Sequence, residues 1–236
     1  MRHLVLITLF LLVNTSAATT PANETGTTQT WREGVHYTKL ANAAPRLDQA
    51  VEVIEMFSYS CGVCNAFEPK LVGWIARKPK DVRFVRMPVT WGPFEQADAR
   101  LFFAIKVLHR EDLHQEVFDA IHKERKTLSS PRDEEASLFQ TRFAVEHGVL
   151  AANFLRARNS HEVNQAVANA NDLVIRYKVV NTPTIIVDGK YTTTIGEAGG
   201  STQLLALIDY LVALERHTGM LKRRMSAHSG ADSVVQ

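Results

Sequence analysis

Apolar and polar positions divide the chain into a β-rich first part, a long helical stretch and a second β-rich part. Residues 50–59 and 82–89 are enriched in β-branched and aromatic side chains, and both segments predict buried strands. Between them, residues 65–77 carry apolar side chains at helical spacing, and Pro69 is expected to kink that helix. The pattern therefore predicts a strand, a helix and a second strand.

A series of helices follows the second strand. Trp91-Gly92-Pro93 ends the strand pattern, and helical periodicity then continues over a long stretch. Ser160 is expected to cap the last of these helices. The predicted helices cover residues 97–108, 113–125, 134–147, 151–158 and 162–177. Because a block of this size is within the range of a small domain, we place an inserted helical domain at residues 97–172.

The β pattern returns near the end of the chain. Residues 184–187 and 191–195 predict two short strands, and Asp188-Gly189 between them is a strong hairpin signal. A last helix opens at Gly199-Gly200-Ser201. The fold class is therefore α/β, with its two β parts at residues 31–96 and 173–217 and a flexible tail at residues 218–236.

The first 30 residues differ in composition from the rest. Met1-Arg2-His3 is a basic start, residues 4–13 are almost entirely apolar, and small residues follow. This order predicts a signal peptide at residues 1–18, cleaved near Ala17 or Ala18, and a flexible leader at residues 19–30. An uncleaved membrane anchor is the alternative, but the apolar run has about half of the ~20 residues that span a bilayer. We therefore expect an exported protein.

Composition and charge exclude some classes of function. Of the 236 residues, 45% are hydrophobic and 22% are charged, which allows a sizeable core and argues against a disordered chain. The formal net charge is +2 and acids and bases are interleaved, so nothing favours a nucleic-acid partner. Charge alone indicates no other partner.

The candidate chemistry rests on Cys61 and Cys64, the two cysteines of the chain. Structural disulfides in exported proteins usually come in several pairs, and a bridge that closes so short a loop adds little stability. Cys61 lies where a strand passes into a helix, and a helix N-terminus lowers the pKa of a thiol. Cys64, one turn later, can resolve a mixed disulfide at Cys61. The spacing therefore favours thiol–disulfide exchange.

Metal binding is the competing interpretation of a cysteine pair. A structural zinc site needs four ligands, and the pair supplies two. His109, His114 and His122 are spread over predicted helices without an obvious point of convergence, and we expect them to be surface residues. We therefore expect no metal and no bound cofactor.

Two further features lie near the strands. Glu55 is an acid within a strand predicted to be buried, where its carboxylate could accept the proton that Cys64 releases; the alternative is a solvated face. Thr182-Pro183 precedes a strand and could adopt a cis bond. That geometry would expose the Thr182 backbone to an extended substrate peptide, although the sequence alone indicates only a turn proline.

The segment from Glu55 to Glu68, which contains Cys61-Gly62-Val63-Cys64, resembles the active-site strand and helix of the DsbA-type periplasmic thiol:disulfide interchange proteins. The resemblance extends over about Trp31 to Arg216. It includes Gly34 and Tyr37 at the opening, the strand at residues 82–89, and the segments 182–184 and 187–191.

The resemblance implies a thioredoxin fold interrupted by a helical domain. It also implies roles for single residues: Cys61 as the exposed nucleophile, Cys64 as the buried resolving thiol and Glu55 as the buried acid. Pro183 would be the cis-proline that faces the pair, with Thr182 and Pro183 binding substrate, and Glu68 matches a second acid near the site.

Two departures from the familiar family member concern the strength of oxidation. Gly62-Val63 replaces a proline and a histidine between the cysteines, and Val63 supplies no hydrogen bond or charge from its side chain. We therefore expect a less depressed Cys61 pKa and a weaker oxidant. Thr182 replaces a valine and resembles the isomerase and reductase branches, but the short leader leaves no room for their dimerisation domain.

The main hypothesis is a monomeric periplasmic oxidase that accepts electrons from reduced or unfolded exported proteins. Its redox group is the Cys61–Cys64 disulfide, which a quinone-linked membrane oxidase of the DsbB kind would regenerate. One alternative is a reductase or isomerase of the same fold, which the redox potential distinguishes. Another is a redox-inactive chaperone that binds peptides.

Overall fold

The structure is a computed structural model that describes residues 29–41 and 50–231, with side chains described as far as Met220. The predicted signal peptide at residues 1–18, its cleavage site at Ala17 or Ala18, most of the leader at residues 19–30 and the end of the tail lie outside the described residues. The description of the fold below is therefore confined to the two ranges.

A mixed sheet of five strands forms the centre of the described fold, in the order β1-β5-β4-β2-β3. Strand β2 pairs in parallel with β3 and antiparallel with β4, and β5 pairs antiparallel with both β4 and β1. The strands are β1 (Thr38–Lys39), β2 (Val51–Phe57), β3 (Val82–Pro88), β4 (Thr184–Val187) and β5 (Tyr191–Thr194). Strand β2, which leads to the cysteines, is thus flanked on both edges.

Eight helices occur in the described residues. They are α1 (Gly62–Arg77), α2 (Pro93–Val107), α3 (Leu113–His122), α4 (Asp133–Glu146), α5 (Ala151–Arg158), α6 (His161–Arg176), α7 (Ile195–Ala198) and α8 (Ser201–Ala231). In this part of the chain, no helix is both long and apolar enough to cross a membrane. The helical block from α2 to α6 lies between β3 and β4 in the chain, as the sequence predicted.

Separate hydrophobic clusters stabilise the sheet and the helical block. One joins β2, β4, α1 and α8, and includes Leu71 and Ile208. Another is built from the inserted helices and includes Leu101 and Phe118, with Phe57 from the end of β2. The end of β2 is therefore anchored in the core of the inserted helices, and the active-site segment begins at that point.

A buried polar network braces the inserted helices. Arg158 is fully buried, and its Nε donates a hydrogen bond of 2.8 Å to the side chain of Gln140. Its two terminal nitrogens donate to the carboxylate of Asp133 at 3.1 and 2.7 Å. The Gln140 amide in turn donates to the carbonyls of Ala97 and Leu128. A buried guanidinium is tolerated here because its hydrogen-bonding groups find partners.

The local predictions of capping and turn structure are confirmed. The Ser160 side chain accepts a hydrogen bond from the N–H of Val163 at 3.1 Å and caps α6. Asp188 and Gly189 both have positive φ, at 53° and 62°, as a tight hairpin between β4 and β5 requires.

Several helix boundaries differ from the prediction. Helix α2 begins at Pro93 rather than at residue 97, because proline suits the first turn, where its missing N–H is not needed. Helix α8 continues to Ala231, although a tail was predicted from residue 218. Lys222, Arg223 and Arg224 are polar but have good helix propensity, so polarity alone does not end the helix.

Candidate active site

A short turn joins β2 to α1 and places Cys61 at the start of the helix. The N–H of Cys61 donates to the carbonyl of Ser58 at 3.1 Å, and the Ser58 and Ser60 hydroxyls are 2.8 Å apart. Cys61 is the N-cap of α1, and its Sγ accepts a hydrogen bond from the N–H of Cys64 at 3.3 Å. Helix α1 begins at Gly62, earlier than predicted, so the sulfur takes the place of the usual capping oxygen.

This position favours the thiolate of Cys61. The pKa of Cys61 is lowered to about 5, and the largest cause is a hydrogen bond from the Cys64 side chain. Burial opposes this shift. The Thr182 side chain and the backbone N–H groups of Cys64 and Val63 lower the pKa further. Val63 contributes only through its backbone, because its aliphatic side chain has no hydrogen-bonding group and no charge. That Cys61 is a weaker oxidant than the cysteine of the familiar family member stays a prediction.

Cys64 is a different kind of thiol. It is buried, and its hydrogen bond to Cys61 together with that burial raises its pKa well above the usual value. Both cysteines are free thiols in this structure. The pair therefore combines a reactive sulfur that solvent reaches with a buried sulfur that holds its proton.

The loop before β4 faces the nucleophile. The Thr182-Pro183 bond is cis, and the Sγ of Cys61 lies 3.4 Å from the carbonyl oxygen of Thr182 as a hydrogen-bond donor. The fold thus brings Thr182 next to Cys61 from 121 residues away along the chain.

Glu55 lies inside the protein, not on a solvated face. Glu55 is 1% exposed. Its pKa is raised to about 8, first by burial and second by the nearby negative charge of Glu68. Arg86 opposes the shift but is only partly effective, because its Nε lies 3.6 Å from Oε2 of Glu55. Glu55 and Arg86 face each other because they are register partners on the parallel strands β2 and β3.

Arg86 also holds the second acid. It donates a hydrogen bond to Oε1 of Glu68, which is buried on α1 four residues after Cys64. Burial alone would raise the pKa of Glu68, but His114 and the charge of Arg86 outweigh it and keep the pKa below its usual value. One of the two buried acids is thus held charged while the other holds its proton.

His114 corrects the prediction that the three histidines are surface residues. It is only 8% exposed, and its Nδ1 shares a hydrogen bond of 2.9 Å with the hydroxyl of Tyr59. Three residues of this site were not identified from the sequence, and these are Arg86, His114 and Tyr59. A usable signal existed for His114, since it lies one turn before the apolar pair Val117 and Phe118 and therefore on the buried face of α3.

No group of three or more His, Cys, Asp or Glu side chains is placed to hold a metal ion within the described residues. The arrangement around Cys61 is instead suited to thiol chemistry. A thiol of lowered pKa with a second thiol one helical turn away is an arrangement that can carry out thiol–disulfide exchange.

Comparison with known proteins also indicates thiol–disulfide exchange. The profile of the DSBA-like thioredoxin domain matches residues 94–208. The thiol:disulfide interchange protein DsbA of Pseudomonas aeruginosa is 34% identical over 218 residues, which cover 92% of this chain and 98% of that protein.

Solved structures agree in fold. The crystal structure of Pseudomonas aeruginosa DsbA superimposes with a TM-score of 0.73 and 36% identity over 80% of this chain and 97% of the other. That of the oxidoreductase DsbA from Xylella fastidiosa gives a TM-score of 0.70 and 31% identity over 77% of this chain and 96% of the other. The α/β thioredoxin fold with a helical insertion is thereby confirmed, and the chain belongs to the DsbA family of thiol:disulfide oxidoreductases.

Proposed function

We propose that this protein is a periplasmic oxidase that introduces disulfide bonds into exported proteins through its Cys61–Cys64 disulfide. The observation that carries the proposal is the contrast between the two thiols, since the pKa of Cys61 is lowered to about 5 and that of Cys64 is raised. A stabilised thiolate favours the reduced form of the enzyme, and an enzyme with a favoured reduced form is a strong oxidant.

In the first step, a client thiolate attacks the accessible Cys61 sulfur of the disulfide. The Cys61–Cys64 bond breaks, a mixed disulfide forms between Cys61 and the client, and Cys64 leaves with the electron pair. Its raised pKa means that Cys64 needs a proton. Glu55, with a pKa of about 8, holds a proton at neutral pH and supplies it.

In the second step, another client thiolate attacks the client sulfur of the mixed disulfide. The client disulfide forms and Cys61 leaves as a thiolate, which the N–H of Cys64 stabilises. The client loses two electrons and the cysteine pair gains them, so no separate cofactor is needed.

Reoxidation reverses these proton movements. A quinone-linked membrane oxidase of the DsbB kind accepts the two electrons through a mixed disulfide with Cys61. Cys64 then attacks Cys61, and Glu55 accepts the proton that Cys64 releases. The same buried carboxyl thus serves both halves of the cycle.

Client binding falls to the loop around Thr182 and Pro183. Apolar residues near Cys61 and near Thr182 in the sequence are exposed. Val63 is 52% exposed, and Val180, two residues before Thr182, is 83% exposed. Trp91 is also exposed, and its indole N–H donates to the carbonyl of Val179 at 2.8 Å. Such a surface suits unfolded polypeptides, which expose apolar side chains.

The equilibrium of the cysteine pair with a glutathione buffer tests the proposal. A potential of about −120 to −180 mV, together with oxidative refolding of a reduced client, supports an oxidase. A potential of about −270 mV indicates a reductase. A Cys61→Ser variant that matures clients as well as the wild type would indicate a peptide-binding chaperone.

The proposed location and assembly have their own test. We propose that residues 1–18 are removed near Ala17 or Ala18 during export and that the mature protein is a monomer. Intact mass of the protein from a periplasmic extract gives the cleavage site, and light scattering gives the oligomeric state. A full-length mass or a dimer contradicts the respective part.

A further inference from the structure

Both ends of helix α3, in the inserted domain, contact Tyr59, which lies two residues before Cys61. The Tyr59 hydroxyl and Nδ1 of His114 are 2.9 Å apart, and Nε2 of His122 lies 2.8 Å from the Tyr59 carbonyl oxygen. Phe118, between the two histidines on the helix, packs edge-to-face on the Tyr59 ring at 5.1 Å. Residues spaced four apart share a helix face, so α3 presents these three side chains together.

Tyr59 lies in the turn between β2 and α1, outside both elements. Strand β2 ends at Phe57 and α1 begins at Gly62, so the turn between them lacks the ladder and helix hydrogen bonds of its neighbours. The Tyr59 ring is fully buried and also packs edge-to-face on Phe57 at 5.1 Å. The contacts from α3 therefore fix the position of the turn that carries Cys61.

His114 also reaches the helix that follows the cysteines. Its Nε2 lies 3.8 Å from Oε1 of Glu68 on α1, which is too long for a hydrogen bond but close enough for an electrostatic contact. Because the Glu68 carboxylate is charged, the tautomer with hydrogen on Nε2 is favoured, and Nδ1 then accepts the hydrogen bond from Tyr59. His114 thus contacts the chain both before and after the Cys61–Cys64 motif.

We propose that His114, supported by His122, is a positioning residue that sets the oxidising strength of Cys61. By holding Tyr59, it keeps the turn in the conformation in which the Cys61 sulfur caps α1 and accepts the N–H of Cys64. A looser turn populates this hydrogen bond less, so the thiolate and the reduced enzyme are less favoured and the protein becomes a weaker oxidant. This inference rests on the proposed exchange reaction at Cys61.

Four variants separate the contacts. Tyr59→Phe removes only the hydroxyl and keeps the ring packing. His114→Leu removes both polar contacts, whereas His114→Asn places an amide oxygen where Nδ1 lies and His114→Gln places an amide N–H near Nε2. His109→Asn is the control, because this exposed histidine has a left-handed φ of 54° that asparagine tolerates.

The measurements are the equilibrium constant of each variant with glutathione and the pH titration of the Cys61 thiolate by ultraviolet absorbance. Tyr59→Phe and His114→Leu are expected to shift the equilibrium about three- to tenfold toward weaker oxidation, with a matching rise in the Cys61 pKa. His114→Asn restores most of the shift and His114→Gln restores less. His109→Asn behaves as the wild type.

A structural role alone predicts another outcome. If Tyr59→Phe and His114→Leu melt at lower temperature but keep the wild-type equilibrium constant and Cys61 pKa, the inference is wrong. Should His114→Leu fail to fold, Tyr59→Phe decides by the same two measurements. A wild-type protein that does not exchange with glutathione overturns the proposed function and this inference together, whereas unchanged constants in reactive variants overturn this inference alone.

Discussion

Glu55 on β2 and Arg86 on β3 face each other, with 3.6 Å between Oε2 of Glu55 and Nε of Arg86. Within the described residues, neither of these two atoms has a hydrogen-bond partner. The guanidinium instead donates to Glu68. Glu55 is therefore left with incomplete compensation for its burial, and its pKa rises to about 8. A carboxyl of this kind can both release and accept a proton near neutral pH.

Replacing this carboxyl is expected to slow exchange. Glu55→Gln keeps the shape of the side chain but carries no exchangeable acid proton, so Cys64 must be protonated from solvent. The rate of reduction of the oxidised protein by a client dithiol is expected to fall about tenfold or more at neutral pH. Stopped-flow fluorescence measures it, with Glu52→Gln on the same strand as the control; equal rates in both variants would contradict the relay.

The same residue makes stability depend on pH. The pKa of Glu55 is about 8 in the folded protein against a usual value of 4.5, so the folded state binds a proton that the unfolded state has lost in this range. Stability is therefore expected to fall as pH rises from about 4.5 to about 8 and then to level off. The full effect is roughly 4 to 5 kcal/mol.

Urea unfolding at several pH values tests this dependence on the oxidised protein, in which Cys61 does not titrate. Buried Asp98, whose pKa is raised to about 7, also makes stability fall with pH. Glu55→Gln should therefore reduce the fall, most clearly between about pH 7 and pH 8, while Glu52→Gln should retain all of it. A wild-type profile that stays flat over this range would show that Glu55 is ionised in the folded protein.

The thiolate of Cys61 should depend on the donor at position 64. The hydrogen bond from the Cys64 side chain is the largest cause of the lowered Cys61 pKa. Cys64→Ala removes this donor, so the Cys61 pKa is expected to rise above about 5, whereas Cys64→Ser keeps an O–H donor and a low pKa. Thiolate absorbance against pH distinguishes them, and identical titrations would assign the shift to the backbone N–H groups.

Two arginines on β3 should differ sharply in their contribution to stability. Arg86→Gln leaves the buried carboxylate of Glu68 uncompensated and is expected to cost about 3 kcal/mol. Arg83 is 55% exposed and pairs with Glu52 at 2.8 Å, so Arg83→Gln should cost less than about 1 kcal/mol. Urea unfolding at neutral pH compares them, and equal losses would contradict the role given to Arg86.

The sequence predicted much of the fold because its signals are local. The hairpin at Asp188-Gly189 and the cap at Ser160 each depend on residues within a few positions of one another. The burial of Glu55 was not decided, because β2 lies between β3 and β4 and is buried along nearly its whole length. Alternation of polar and apolar residues is informative only when one face of a strand is solvated.

The polar surroundings of the cysteines were not predictable in the same way. Tyr59 and His114 are 55 residues apart, and Arg86 reaches Glu68 from the neighbouring strand. Local periodicity carries no information on such contacts, which arise from the strand register and from the docking of α3. The sequence thus indicated the reacting sulfurs, and the residues that tune them required the three-dimensional structure.

The insertion of α2 to α6 between β3 and β4 has a consequence for folding during export. On the proposed export into the periplasm with the N-terminus first, Cys61 arrives before Thr182, which faces it from 121 positions later in the chain. The sheet has the high contact order typical of slow folding, because β2 must wait for β4 to occupy its second edge. We therefore expect a newly exported molecule to carry an accessible, incompletely shielded thiol pair and to be itself a client of mature copies of the same enzyme.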